Sequence, residues 1–209
     1  PFGLLNVHGD GESVQEASQP LSDDMAQQVR TLARQYGVNP ALLFHVALAQ
    51  VLAYCCDLPQ VVFGTVLSGR LQGTHQADQI LGLFINTLPI KLPVAGLTVR
   101  EALNHSRAAL GALLQHETAP LALAQRCSGI AAPQPLFTVL LNYRHSAAPE
   151  ANGDAWQGMT AVAGRERTNF PITLSVDDHG VGFSLTAQCD GIAPQRLLGY
   201  LHTTLAALL

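Results

Sequence analysis

Two hydrophobic rhythms alternate along this chain of 209 residues, one with helical spacing and one continuous or of period two, and their order predicts interleaved helices and strands. A short extended "FGLLNV" leads into residues 8–20, "HGDGESVQEASQP", which are polar and punctuated and read as a connecting loop. Ser22 then caps a helix predicted over 23–36, with Asp23 and Asp24 complementing the dipole in its first turn and Gly37 ending it. Asn39-Pro40 starts a second helix, "ALLFHVALAQVLAYC", which is apolar nearly all round and so belongs inside. The continuous β-branched run "QVVFGTVLS", 60–68, has the pattern of a strand covered on both faces. Residues 69–80, "GRLQGTHQADQI", read as a loop of more than ten residues, a length that tends to carry function in compact domains.

Thr98 and Glu101 form a capping box that opens a helix to about Gln115, and a shorter helix, "APLALAQRC", follows. "PLFTVLLNYR", 135–144, is a second strong strand. "HSAAPEANGDAWQG" then makes a loop holding the sole tryptophan, Trp156. "PITLSVDD" and "VGFSLTAQCD" alternate as a hairpin around His179-Gly180, and Ala193-Pro194 opens a last helix, "QRLLGYLHTTLAALL". The order implies an α/β fold with a mixed sheet flanked by helices.

The run "LGLFINTLPIK", 81–91, interrupts the apolar pattern with an amide at its centre. Asn86 brings two donors and an acceptor, and leaving them unpaired when buried costs about 1–3 kcal/mol. It therefore either clamps backbone at a bend or lines a polar channel, and the residues alone leave both open.

Composition narrows the function classes. Charged residues are 12% of the chain, about half the ~25% of ordinary soluble domains, and mean hydropathy is +0.21. Either part of the surface is covered by another domain, a subunit or the other half of a larger unit, or the chain is a compact Ala/Leu-rich α/β protein. A net charge of −4 and a pI near 6.0, with no basic stripe, argue against a nucleic-acid partner. No stretch approaches the 18 apolar residues of a membrane span. The N-terminus lacks a start methionine and the layout of a signal peptide, and reads as the middle of a longer chain. Cys55, Cys56, Cys127 and Cys189 form no Cys-x-x-Cys pair and no zinc-type set with histidine, so no metal is expected and a reducing cytoplasm is the simplest setting.

Eight histidines invite a search for a catalytic base. His45 falls in a buried helix pattern and reads as a core histidine, and His105, His145 and His202 stand singly without a partner at helical spacing. "SVDDHG", 175–180, reads as a hairpin turn and not as a nucleophile group, since triads assemble in space. No Gly-x-Ser-x-Gly elbow occurs, and "GTVLSGR" lacks the Gly-Lys-Ser/Thr of a phosphate loop. His116-Glu117 is an adjacent pair at an element junction. Arg126 and Ser128, near a helix end, suit either an anion or plain solvent.

Five ordered segments, "VVFGTVLSGR", "LGLFINTLPIK", "HETAPLALAQR", "PLFTVLLNYRHS" and "RTNFPITLSVDDHGVGFSLTAQCD", together resemble the C-terminal half of a condensation domain of non-ribosomal peptide synthetases. The 81–91 run is similar to the family's Gly-x-Phe-Val-Asn-Thr…Arg motif at Gly82, Phe84, Asn86 and Thr87, with Ile85 for Val and Lys91 for Arg. Lys91 is a real departure, because an ammonium cannot reproduce a bidentate fork. His116, Glu117, Pro120 and Leu121 resemble a His-Gln-Asp-x-Pro-Phe segment, and Arg126, Ser128 and Pro135-Leu136-Phe137 loosely resemble an Arg-Asp-x-Ser-Arg-Asn-Pro-Leu-Phe motif. "PFGLL", "HETAPLALAQRCSG" and "LNYRHS" look like the dual epimerisation/condensation subtype.

The resemblance implies a chloramphenicol-acetyltransferase-like fold, with residues 1–209 as one C-terminal lobe: 1–20 linking from the N-terminal lobe, 69–82 a floor loop and 146–160 a latch. Two such lobes would form a V with a tunnel between them. Donor and acceptor peptidyl carrier proteins would load it through phosphopantetheine arms, and an adenylation domain would lie alongside. The family's His-His-x-x-x-Asp-Gly base motif belongs to the N-terminal lobe, and no histidine here fits it, so the resemblance implies no catalytic residue in this chain and an inactive fragment. Gly82, Phe84, Asn86, Thr87 and Lys91 are implied to support the tunnel, and His116, Glu117, Arg126 and Ser128 to face a substrate arm or carrier. The alternative is a non-catalytic carrier-docking or scaffold module.

Overall fold

A computed structural model describes residues 3, 4, 7, 13–70, 81–131, 133–145 and 168–209. The elements run β1 (Gln15–Pro20), α1 (Asp23–Tyr36), α2 (Pro40–Cys56), β2 (Gln60–Leu67), β3 (Asn86–Pro93), α3 (Val99–Leu114), α4 (Leu121–Cys127), β4 (Val139–His145), β5 (Ile172–Asp178), β6 (Phe183–Cys189) and α5 (Pro194–Leu208). Local chemistry sets the helix ends as expected. The Ser22 and Asn39 side chains accept from Met25 and Ala41, Thr98 and Glu101 close both bonds of the capping box, and Gly37 takes the left-handed conformation at φ 59°.

The strands form one mixed sheet in the order β1-β6-β5-β4-β2-β3. β2, β4 and β5 run parallel, while β3, β6 and β1 pair antiparallel with their neighbours. Strand alternation sorts side chains onto two faces. Phe63, Ile90, Val139, Leu141, Ile172, Leu174, Val176, Phe183, Leu185 and Ala187 face a layer of helices. There they form one core with Val29 of α1, Leu43, Phe44 and Leu48 of α2, Leu103 of α3 and Leu201 and Leu205 of α5. α2 has twelve buried positions because it lies inside this layer, which is why it reads as apolar all round.

The other face carries no helix among the described elements, and its residues are mostly polar: Ser18, Thr186, Ser175, Asn142, Thr87 and their neighbours in register. β2 passes beneath one cover on this side. The Phe137 ring lies on Gly64, where an added Cβ would come within 2.3 Å of it, so the strand is closed over there from both sides.

One expectation is corrected. Residues 8–20 read as a connecting loop, yet Gln15–Pro20 is an edge strand paired with β6, and Leu21 N–H continues the ladder to the Phe183 carbonyl at 2.9 Å. Its side chains are exposed or nearly so on both faces. Backbone pairing alone makes it a strand, which leaves no apolar alternation to read. The floor-loop span 69–82 lies outside the described residues except at 69, 70, 81 and 82, and the latch span 146–160 lies wholly outside them.

Candidate functional site

The helix-free face holds a cleft of about 690 Å³, a volume suited to a drug-sized or extended ligand. Val66 of β2 and Leu140 of β4 give it an apolar floor, Ile85 and Thr87 form one wall, and Thr168, Asn169 and Phe170 form the other. The far wall is fixed locally. Phe170 stacks on Phe137 with ring centroids 5.3 Å apart and planes 15° from parallel, and the hydroxyls of Thr168 and Thr173 lie 2.8 Å apart. β4 sends Asn142 and Arg144 to this face and Tyr143 and His145 to the helix side.

Among the described residues, the guanidinium in the cleft is paired. Arg144 forks onto Asp177, Nε to Oδ1 at 2.7 Å and Nη2 to Oδ2 at 3.0 Å, a planar pairing only arginine makes. On the opposite side Asp178 accepts from Arg30 (2.5 Å), from the Tyr143 hydroxyl (2.6 Å) and from Gly180 N–H (2.9 Å), with His145 Nδ1 3.4 Å away. Burial would raise this carboxyl, but those donors and the guanidinium hold it well below the usual carboxylate range. Burial, with the carboxylate beside it, pushes the Tyr143 hydroxyl far upward, so it stays protonated. This cluster locks α1 to the ends of β4 and β5. Asp178 and Gly180 come from the "SVDDHG" segment, which forms the expected hairpin turn, with His179 N–H donating to the Gly182 carbonyl at 3.0 Å.

Asn86 resolves into a clamp. Its Nδ2 donates to the carbonyls of Glu117 and Ala119, both at 2.8 Å, and its Oδ1 accepts from Thr87 N–H at 2.9 Å. The amide thus pins the turn between α3 and α4 to the start of β3. It also closes a sheet edge. The bond from Val94 N–H to Pro59 O fixes the β2–β3 register so that Thr87, Pro89, Lys91 and Pro93 point their backbone outward. Two of these are prolines without an N–H and a third is satisfied by Asn86, leaving Lys91 as the only outward donor of β3.

The other motif residues separate by position. Thr87 lines the cleft. Gly82, at φ 154°, accepts from Arg70 at 3.3 Å, and that guanidinium sits 4.4 Å over the Phe84 ring. Gly69, at the end of β2, approaches the Phe84 carbonyl so closely that a Cβ would lie 1.9 Å from it, which requires glycine there. Lys91 is exposed and faces a separate hollow of about 370 Å³ with Leu52, Cys56 and Val62. Glu117 is buried at 1% exposure in the turn Asn86 holds, whereas His116 and Arg126 are exposed. Ser128 finishes α4, its hydroxyl donating to Gln125 O at 2.7 Å and accepting from Ile130 N–H at 3.0 Å. None of these four lines the cleft.

His45 is a core histidine as expected, with Nδ1 2.7 Å from Ala41 O and Nε2 2.9 Å from the Thr65 hydroxyl. Burial holds its pKa at about 4, so it is neutral. His145, at the end of β4, borders the cleft, with its Nδ1 3.4 Å from Asp178 Oδ2, and no three His, Cys, Asp or Glu among the described residues are placed to hold a metal.

Asn142 is the residue the sequence reading missed. It is half-buried in the cleft, and its side chain makes no hydrogen bond within the described chain. The signal was the one that singled out Asn86, an amide inside an apolar run, here "PLFTVLLNYR".

Comparison with known proteins agrees with this architecture. The Condensation domain family matches residues 8–191. The chain is 44% identical over all 209 residues to malpibaldin synthetase of Mortierella alpina, and 29% identical over 79% of its length to vanchrobactin synthetase VabF of Vibrio anguillarum. It spans 4% of the length of the first and 6% of the second. In solved structures the fold is similar to the condensation domain of the monacolin K polyketide synthase MokA (TM-score 0.72, 18% identity, 99% of this chain and 49% of that one). It is similar too to the PapA2 acyl transferase (TM-score 0.70, 12% identity, 100% of this chain and 45% of that one). The acyltransferase-like fold expected from the resemblance is therefore borne out, and the chain spans about half the length of these neighbours. By the match over residues 8–191, the chain belongs to the condensation domain family.

Proposed function

We propose that this chain is the C-terminal lobe of a peptide-bond-forming condensation domain in a non-ribosomal peptide synthetase, and that it shapes the acyl channel while the general base sits on the N-terminal lobe. One observation carries the reading: among the described residues, the histidine that borders the cleft on the helix-free sheet face, His145, sits at the strand end with its Nδ1 3.4 Å from Asp178, and the cleft's guanidinium, Arg144, is committed to Asp177. A partly apolar cleft can hold and orient a thioester-linked chain, whereas the base for the attacking amine has to point at it, and His145 is directed to Asp178 instead. The span of about half a solved condensation domain supports the division into lobes. Donor and acceptor carrier proteins would deliver their phosphopantetheine arms to this channel, with an adenylation domain alongside in the same synthetase.

The test is dipeptide formation between loaded donor and acceptor carrier proteins. The 209-residue chain alone should give none, and adding the separately made N-terminal half should restore transfer. Transfer by the chain alone would place the base in this lobe. No transfer from either the reconstituted or the complete domain would favour a docking or scaffold role.

A further inference from the structure

The cleft floor holds one amide that the described structure does not use. We propose that Asn142 positions the ligand chain by hydrogen bonding one of its amide groups; this rests on the channel reading above. Four observations meet here. Asn142 projects from β4 to the helix-free face, beside Leu140 in alternation and with Ser175 opposite it in register. It is half-buried between the walls of a 690 Å³ cleft, and its two donors and one acceptor meet no partner within the described residues. By contrast Asn86, the other amide in an apolar strand run, commits its groups to three backbone bonds, so an uncommitted amide is not a general habit of this fold. Finally, the nearest cation on the strand, Arg144, is forked onto Asp177, so among the described residues the guanidinium in the cleft is already committed.

A carboxamide that donates and accepts on one edge matches a secondary amide that does the same, and it discriminates weakly among charged groups. Two sources share this chemistry: the amides of the phosphopantetheine arm and the peptide amides of an acyl group. The apolar floor of Val66 and Leu140 would carry the methylene or side-chain portions between them.

The experiment uses the complete condensation domain with carrier-bound donors and compares wild type with Asn142→Leu, which keeps the branched shape and removes the hydrogen bonds, and Asn142→Asp, which keeps an acceptor and adds charge. For Asn142→Leu, KM for the donor should rise roughly two- to tenfold, the worth of one or two hydrogen bonds, with kcat and the melting midpoint held. Asn142→Asp should raise KM further. Repeating the comparison with N-acetylcysteamine thioesters assigns the source. A penalty that disappears on shortening the arm places the contact on the arm, and one that persists places it on the acyl group; both support the assignment. An unchanged KM in Asn142→Leu overturns it while leaving the channel reading intact. A loss confined to kcat together with a lowered midpoint makes Asn142 structural and overturns it too. An inactive wild-type domain overturns the channel reading itself.

Discussion

Replacing Asn86 with Ala removes three hydrogen bonds at once, the two at 2.8 Å that hold the Glu117 and Ala119 carbonyls and the one at 2.9 Å that quiets the Thr87 N–H at the sheet edge. Each is worth about 0.5–1.5 kcal/mol net, and a buried group left without a partner loses more. Glu117 is buried, while Ala119 and Thr87 are half-buried and partly rewetted in the variant, so the loss should be about 2–3 kcal/mol. At roughly 2–4 °C per kcal/mol for a domain of this size, the melting midpoint of the complete domain should fall by about 4–12 °C. Asn86→Asp makes the sharper test. It keeps the acceptor for Thr87 but sets a carboxylate against two carbonyls, so it should be worse than Ala at neutral pH. Differential scanning calorimetry on the three proteins reads the order directly. If Asn86→Ala leaves the midpoint within a degree, or if Asp is milder than Ala, the two donated bonds are not what holds the α3–α4 turn and the clamp argument fails.

Further outcomes follow from the same geometry. His45 is buried with a pKa near 4 against an ordinary 6.5, so the unfolded chain binds the extra proton first; stability is full above about pH 6.5 and falls as pH drops toward 4, by about 3 kcal/mol. Urea midpoints from pH 7 to 4 should show this slope, and His45→Phe should flatten it. Gly64→Ala should cost about 1–3 kcal/mol because its Cβ meets the Phe137 ring; adding Phe137→Leu should recover part of that loss in a double-mutant thermal melt. Thr98→Ala removes one half of the capping box on α3 and should lower stability by about 1 kcal/mol in the same assay.

What could be read from the chain followed how its physics is encoded. Helix ends were legible because caps are local: Ser22, Asn39 and Thr98 act within three residues of themselves. β1 was not, since an edge strand exposed on both faces is held by backbone pairing across more than 160 residues. Asn86 was marked as an anomaly by sequence, but only its partners at Glu117 and Ala119 turned two open readings into a clamp. Lys91, the departure from the arginine of the resembled motif, lies on an edge strand and faces a different hollow from Thr87, so adjacency in a motif did not mean adjacency in a site. Asn142 carried the same signal as Asn86 and was passed over, because a strand pattern does not say which face stays free of helices.

The central claim is that the ligand chain lies on the helix-free face of the sheet. A crystal structure of the complete domain with a donor analogue, its thioester sulfur replaced by NH, measures this most directly. The account predicts the chain between Thr87 and the 168–170 wall, with an amide within hydrogen-bond distance of Asn142 and methylenes on Val66 and Leu140. A chain lying against α4 near His116 and Arg126, or in the Lys91 hollow, would contradict it.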